Sequence, residues 1–207
     1  MRRLTHRAAC LALLAVLLPP AAAAAGETDG PQATIERTTE RIIAVLEDPA
    51  LQGEAHEAER RAKIIDIVNG RFQWPEMARR SLGRHWRGLS EAQRQQFIPL
   101  FSELIRRTYL ARVEGYEGEE VRYVRERVDG RYARVHIAIV TTKRKTIPVV
   151  YSLKRFDGRW LVYDFQIEGV RIVNNYRRQF DNILARGSFE ELIDKLEAKL
   201  KKMREDD

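Results

Sequence analysis

The sequence predicts an α+β fold: helices first, then one curved four-stranded antiparallel sheet, then helices again, packed on one face of the sheet. Three observations lead there. Apolar residues recur at three- and four-residue spacing up to about residue 113, the pattern of one helix face. From residue 121 to 167 they alternate instead, the spacing of a half-buried strand. Within that stretch, Asp129-Gly130 and Asp157-Gly158 stand where two-residue hairpin turns would sit.

Residues 34–46 carry Ile35, Ile42, Ile43 and Leu46 on one helical face, and Asp48-Pro49 closes the run. Residues 57–68 follow with Ile64, Ile65, Ile67 and Val68, stopped by Asn69-Gly70. Trp74-Pro75-Glu76 opens a short helix, because proline at the first helical position lacks an N–H that would have no partner there anyway. Ser90 and Gln93 have capping-box spacing: the serine accepts from the backbone three residues on, and the glutamine reaches back. They open the longest helix, 91–113, with Phe97, Leu100, Phe101, Leu104, Ile105 and Tyr109 on its apolar face and Gly115 at its end. The four strands are 121–128, 132–140, 146–156 and 160–167, joined in pairs by Asp-Gly turns of type I′ with the basic turn Thr142-Lys143-Arg144-Lys145 between the pairs. One face collects Val135, Ile137 and Ile139, then Ile147, Val149, Tyr151 and Leu153, then Leu161, Tyr163, Phe165 and Ile167. The other carries Arg134, His136, Ser152, Lys154, Asp164 and Gln166. Pro148 has no N–H for a ladder, which predicts an edge or a bulge there. Helices over 170–185 and 188–203 finish the chain, with Gly187 between them and Ser188 and Glu191 repeating the capping-box spacing.

Residues 1–25 have the anatomy of a cleaved export signal. Three arginines precede an apolar run over 8–18, Pro19-Pro20 breaks it, and Ala21 to Ala25 offer a small-residue cleavage site before Gly26. That run is far shorter than the roughly 20 residues a spanning helix needs. Cys10 stands at its front, not behind it where a lipoprotein cysteine belongs. Cleavage would place the protein in the periplasm and remove its only cysteine, so stability must come from a core. Residues 26–33 read as a flexible leader and 34–207 as a single domain, long enough for a core, since a domain of about 150 residues buries close to 70% of its chain surface. Without the signal, 34 basic residues face 30 acidic ones. A net +4 is too small to imply a nucleic-acid partner and suits acidic protein surfaces or anionic headgroups.

Catalytic motifs are scarce. No G-x-S-x-G elbow, phosphate-binding glycine loop or H-E-x-x-H occurs, and His56, His85 and His136 lack ligand spacing, so neither a metal nor a cofactor is expected. Asp164 lies between Tyr163 and Phe165, where an apolar setting could make it a base. Period two puts it opposite the apolar face, which favours a solvent-side or helix-capping role. Arg122, Arg125, Arg127, Arg131 and Arg134 form a basic strand region, read as a solvated face with an anion site as the sharper alternative.

The stretch from Trp160 to Phe180, W-L-V-Y-D-F-Q-I-E-G-V-R-I-V-N-N-Y-R-R-Q-F, closely resembles the signature of the MlaC family, also called toluene-tolerance proteins. The run from Phe72 to Gly83, the helix from Gln93 to Tyr109 and the strand Ile147-Pro-Val-Val-Tyr151 resemble further family segments, in order, so the likeness spans nearly all of residues 35–200. Arg171 departs from the family's usual serine and Gln73 from a common aspartate.

The resemblance implies a periplasmic phospholipid carrier of the lipid-asymmetry pathway, not an enzyme. Its fold would be a nuclear-transport-factor-like cone holding acyl chains between sheet and helices with the headgroup near solvent. Its partners would be phospholipid, an outer-membrane lipoprotein–porin complex and an inner-membrane ABC transporter with a periplasmic substrate-binding ring, and it would act as a monomer. Physically, exposing about thirty acyl methylenes to water costs on the order of 20–25 kcal/mol at about 0.8 each, so a carrier needs a dry apolar lining. The expected lining comprises Trp74, Met77, Phe97, Phe101 and Leu104 from the first helices. From the sheet come Ile137, Val149, Tyr151, Leu153, Tyr163 and Phe165, and from the helix after it Val173, Tyr176 and Phe180. Lys143, Arg144 and Lys145, with Arg84 and Arg87, are the expected partner or headgroup contacts. Two other readings fit the same pattern: an enzyme of this cone-shaped fold using Asp164 or His136 on a small hydrophobic substrate, or an interaction protein with a filled core.

Overall fold

Proline sets the start of the first helix. In the computed structural model, which describes residues 29–205, α1 runs Pro31–Glu47 with proline in its first turn. The last three residues of the expected leader, 31–33, are therefore helical, and the signal segment lies outside the described residues. Short 3₁₀ turns lead to α2 (Glu57–Asn69), then come α3 (Trp74–Leu82), a 3₁₀ stretch (Gly83–Gly88) and α4 (Glu91–Glu114). The capping box at the head of α4 forms in both directions: Gln93 N–H donates to Ser90 Oγ (3.2 Å) and Ser90 N–H to Gln93 Oε1 (2.9 Å).

The sheet is an antiparallel meander, β1 (Glu120–Asp129), β2 (Tyr132–Val140), β3 (Thr146–Phe156) and β4 (Arg159–Ile167), with α5 (Ile172–Leu184) and α6 (Phe189–Glu205) after it. A fifth, two-residue strand, β5 (Val170–Arg171), pairs with the end of β4 where a helix start was expected. Glu168 (φ 47°) and Gly169 (φ 84°) make that turn. Both φ values are positive, as at Asp157 (46°) and Gly158 (82°), the signature of a type I′ hairpin. The β1–β2 turn differs from expectation: its central residues are Gly130 and Arg131, and only Gly130 has positive φ (56°), the sign pattern of type II′.

Pro148 also corrects the sequence reading. It lies in β3, an interior strand, in register with Ala138, and the bulge in β3–β4 pairing falls at Ser152/Leu153. N and O of one strand residue point to the same neighbour, and the Pro148 carbonyl accepts from Glu168 N–H (3.0 Å). The missing donor thus faces the point where β4 turns away, not the β2 ladder.

Buried residues form two clusters. In the first, α3, α4, α5 and α6 pack on one another through Met77, Leu82, Phe97, Phe101, Leu104, Tyr176, Phe180, Leu192 and Leu200, with Phe165 joining from the sheet. In the second, Ile35 of α1 seals the apolar sheet face over Val135, Ile137, Val149, Leu153, Trp160 and Val162. The segment between α2 and α3 ties the clusters together, because Gln73 N–H donates to Val162 O (2.8 Å) and Val162 N–H to Arg71 O (3.0 Å).

Candidate functional site

Between the two clusters the packing stops short. A cavity of about 350 Å³ opens there, within the range of small-molecule sites. Helix α1 lines it with Ile35, Ile42, Ile43 and Leu46, and α2 with Ile65 and Val68. Helix α4 contributes Ile105, Tyr109, Leu110 and Val113, and the sheet Val121, Ile137, Ile139, Ile147, Val149, Tyr151, Phe165 and Ile167. These positions follow from periodicity. On α1 and α4 they recur at three- and four-residue steps, and on β2 and β3 at two.

The inner wall is apolar and rigid. Phe72 stacks on Trp74 (5.2 Å between centroids) and meets Phe165 edge-on (5.9 Å), as does Tyr109 (5.2 Å). Thr38 adds no open polar group, since its hydroxyl donates to the Thr34 carbonyl (2.7 Å). Burial pushes the Tyr151 hydroxyl up to about 12. Charged groups stand where the cavity meets the outside: Arg106, Arg112, Glu119 and Glu168, with Thr141 and Tyr116 beside them. Arg71 also lines it and is largely buried. Several contacts bridge elements around this space. Arg61 of α2 reaches both carboxylate oxygens of Glu114 on α4 (3.0 and 3.1 Å), and the Tyr116 hydroxyl donates to Glu47 (3.2 Å).

The structure brings together Trp74, Ile137, Val149, Tyr151 and Phe165 of the expected lining. It places the rest elsewhere. Phe97, Phe101, Tyr176 and Phe180 meet mostly edge-on at 5.6–6.1 Å, and with Met77, Leu104 and Val173 they fill the helical core without lining the cavity. Leu153 is sealed in the sheet core. Tyr163, the extra residue of the β4 irregularity, lies against Tyr132 (6.1 Å) with the Arg80 guanidinium 4.2 Å from its ring centroid. The lining residues that sequence reading passed over include Ile42, Ile43, Leu46, Ile65, Val68, Leu110 and Val113. For those on α1 and α2 the signal was the helical spacing already noted, while Leu110 and Val113 lie one turn on from Arg106 and Tyr109 on α4.

Among the basic residues, Lys143, Arg144 and Lys145 share an exposed turn that adjoins the cavity through Thr141. Lys145 pairs with Glu168 (2.8 Å), and Arg144 takes φ 60°. Arg84 and Arg87 are exposed on the 3₁₀ stretch, where Arg84 pairs with Asp181 (2.9 Å), and neither lines the cavity.

Asp164 is not on a solvent face. It is 3% exposed, accepts from Val173 N–H in the first turn of α5 (3.0 Å) and pairs with the Arg171 guanidinium (3.1 Å), so it caps the helix from the adjacent strand β4. His136 sits between Arg125 and Arg134; partial burial first, then those two charges, holds its pKa below the ordinary value. Neither residue lines the cavity. Among the described residues no group of three or more His, Cys, Asp or Glu could hold a metal, and no helix is long and apolar enough to cross a membrane.

Comparison with known proteins agrees with this geometry. A family model described as MlaC protein matches residues 36–198. The intermembrane phospholipid transport system binding protein MlaC of Haemophilus influenzae is 24% identical over 121 residues. That alignment spans 56% of this chain and 56% of the relative, about half of each. A phospholipid-binding protein from Ralstonia solanacearum, solved in complex with a phospholipid, superposes with a TM-score of 0.77 over 85% of this chain and 99% of its own, at 22% identity, which shows a shared fold.

Proposed function

The chain belongs to the MlaC family, and from that premise we propose that it is a phospholipid carrier whose acyl chains occupy the cavity between the sheet and α1, α2 and α4. One observation carries the reading: the space is walled mainly by aliphatic and aromatic side chains, and apart from the buried Arg71 its charged liners are partly or fully exposed. Leaving such a space empty is expensive. At about 24 cal/mol per Å³, a dry 350 Å³ cavity forgoes up to roughly 8 kcal/mol of packing. An apolar guest recovers that, and the carrier in turn offsets the cost of holding acyl chains away from membranes. The relative in an intermembrane phospholipid transport system and the neighbour solved with bound phospholipid support the same assignment.

The finer proposal is a shuttle in the periplasm. It would exchange lipid, as a monomer without cofactor, between an outer-membrane lipoprotein–porin complex and an inner-membrane ABC transporter bearing a substrate-binding ring. The basic turn beside the cavity rim suits reversible docking on an acidic surface. The test is organic extraction and native mass spectrometry of the purified protein, alongside Ile139→Trp, which puts an indole into the cavity from a half-buried position. Wild type should carry phospholipid and the folded variant much less. A lipid-free wild type that also takes up none from vesicles would sink the carrier reading.

A further inference from the structure

Arg106 is a guanidinium in an unusual place. It lines the apolar cavity, and it also lines a second, polar cleft of about 170 Å³ between α2 and α4; the two spaces share Ile65, Arg106 and Leu110. It therefore marks the boundary between a hydrocarbon-like interior and a wet exterior. Its position is fixed by the protein. Asn69 Oδ1 accepts from Arg106 Nη1 (3.2 Å) and from Trp74 Nε1 (3.1 Å), which sets the guanidinium 5.5 Å from the Trp74 ring centroid.

What it lacks among the described residues is an anion in contact. The carboxylates nearest by sequence and cleft are engaged by other arginines: Glu103 by Arg107 (2.9 Å) and Arg204 (2.9 Å), and Glu114 by Arg61 (3.0 Å). Partial burial lowers the Arg106 pKa, with Glu103 only partly opposing it, so this charge sits in a desolvated place without a contact counter-ion. Of the five donors a guanidinium carries, the amide of Asn69 accepts one. The remaining donors form a rigid fork matched to two oxygens of a phosphate.

We propose that Arg106 is the phosphate-binding residue of the carrier, holding the phosphodiester of a lipid headgroup at the gap between α2 and α4 while the acyl chains lie in the cavity. The proposal rests on the carrier reading and adds to it an exit for the headgroup and a chemical basis for selecting phosphate-bearing lipids. Arg106 holds the phosphate where an apolar wall ends. Asn69 acts as a positioning residue, because it holds the guanidinium and does not line the cavity, whereas Trp74 both meets the guanidinium and lines the cavity.

The experiment gives lipid-stripped protein a phosphatidylglycerol and a diacylglycerol with identical acyl chains, in competition, and counts each bound species by native mass spectrometry. Wild type should prefer the phospholipid. Arg106→Gln should weaken phospholipid binding about tenfold or more, the scale of a charge-assisted pair, and change diacylglycerol uptake far less, so that the ratio of the two lipids falls. Arg106→Lys should recover part of the preference, and Asn69→Ala, which frees the fork without removing its charge, should fall between. Thermal melts identify a variant that has unfolded, and Arg106→Lys then carries the comparison. A wild-type ratio of the two lipids in Arg106→Gln overturns the assignment while leaving the carrier intact. A wild type that binds neither lipid overturns both. Inorganic phosphate alone is the third probe: binding to wild type, lost in Arg106→Gln, with no discrimination between the lipids would reassign the site to free phosphate and overturn the lipid source.

Discussion

Asp164 does at residue scale what a local capping residue does for most helices. Arg171, the residue before α5, makes no side-chain cap, and the carboxylate of Asp164 on β4 accepts from the backbone instead. Asp164→Ala leaves a helix N–H without its acceptor and the Arg171 guanidinium without its ion. The loss should be about 2–3 kcal/mol in denaturant melts, most of it from the buried backbone bond, because Arg171 is half exposed and its charge is screened. A loss under about 0.5 kcal/mol would mean that water replaces the carboxylate without penalty. Tyr151 offers a test in pH. Its side chain is half-buried and lines the cavity, and burial raises its pKa to about 12 against about 10 in an unfolded chain. The folded state holds that proton more tightly, so the contribution to stability is complete below pH 10 and is lost as pH climbs toward 12. An absorbance titration of the native protein should show a late tyrosine step that Tyr151→Phe deletes. If the variant removes an early step near pH 10, the cavity wall is wetter than this geometry allows.

Helix α4 carries two apolar faces side by side. Phe97, Phe101 and Leu104 point into the sealed helical core, while Ile105, Tyr109, Leu110 and Val113 point toward the cavity. Substitutions on the two faces should therefore separate stability from lipid content. Phe101→Ala, at a fully buried position, should cost about 3–5 kcal/mol. Leu110→Ala, at a half-buried one, should cost about 1 kcal/mol and reduce retained lipid. Equal costs with unchanged lipid would mean that both faces belong to one filled core. The same helix explains what was legible in the sequence. Caps, turns and periodicity gave four helices, four strands and the later helices nearly to their ends, since each is a local signal. The sequence could not show which of two adjacent stripes faces a hollow. Phe97 and Tyr109 both fit an apolar face, and only the position of α5, whose Tyr176 and Phe180 close on Phe101, decides that the aromatic stripe is sealed. The two-residue β5 has no signal of its own in the sequence, where a helix from residue 170 leaves Glu168-Gly169 as a plain junction; its φ values make it a second I′ turn.

At the scale of the whole molecule, a carrier has to hold its cargo and also let go of it at a partner. Its docking contacts are then best kept weak, electrostatic and close to the opening. The turn after β2 meets the last requirement, because Thr141 at its base and Glu168, which pairs with its Lys145, both line the cavity. Within the turn the charges are not equivalent. Lys145 is engaged by Glu168, whose carboxyl that contact holds below its usual range, whereas Lys143 and Arg144 are exposed and form no ion pair among the described residues. Arg84 and Arg87 lie on another element away from the cavity, and Arg84 is committed to Asp181, so they are poorer candidates. Reversing Lys143 and Arg144 to glutamate should slow association with the proposed partner, a transporter's periplasmic ring, severalfold at low salt and flatten its dependence on ionic strength, because steering acts chiefly on the encounter rate. Bound lipid should not change, since neither side chain lines the cavity. Reversing Lys145 as well would break the pair with Glu168 at the rim, and any extra loss of lipid seen only in the triple variant would separate the rim from docking. An unchanged association rate and salt slope in the double variant would place the docking surface elsewhere on the molecule.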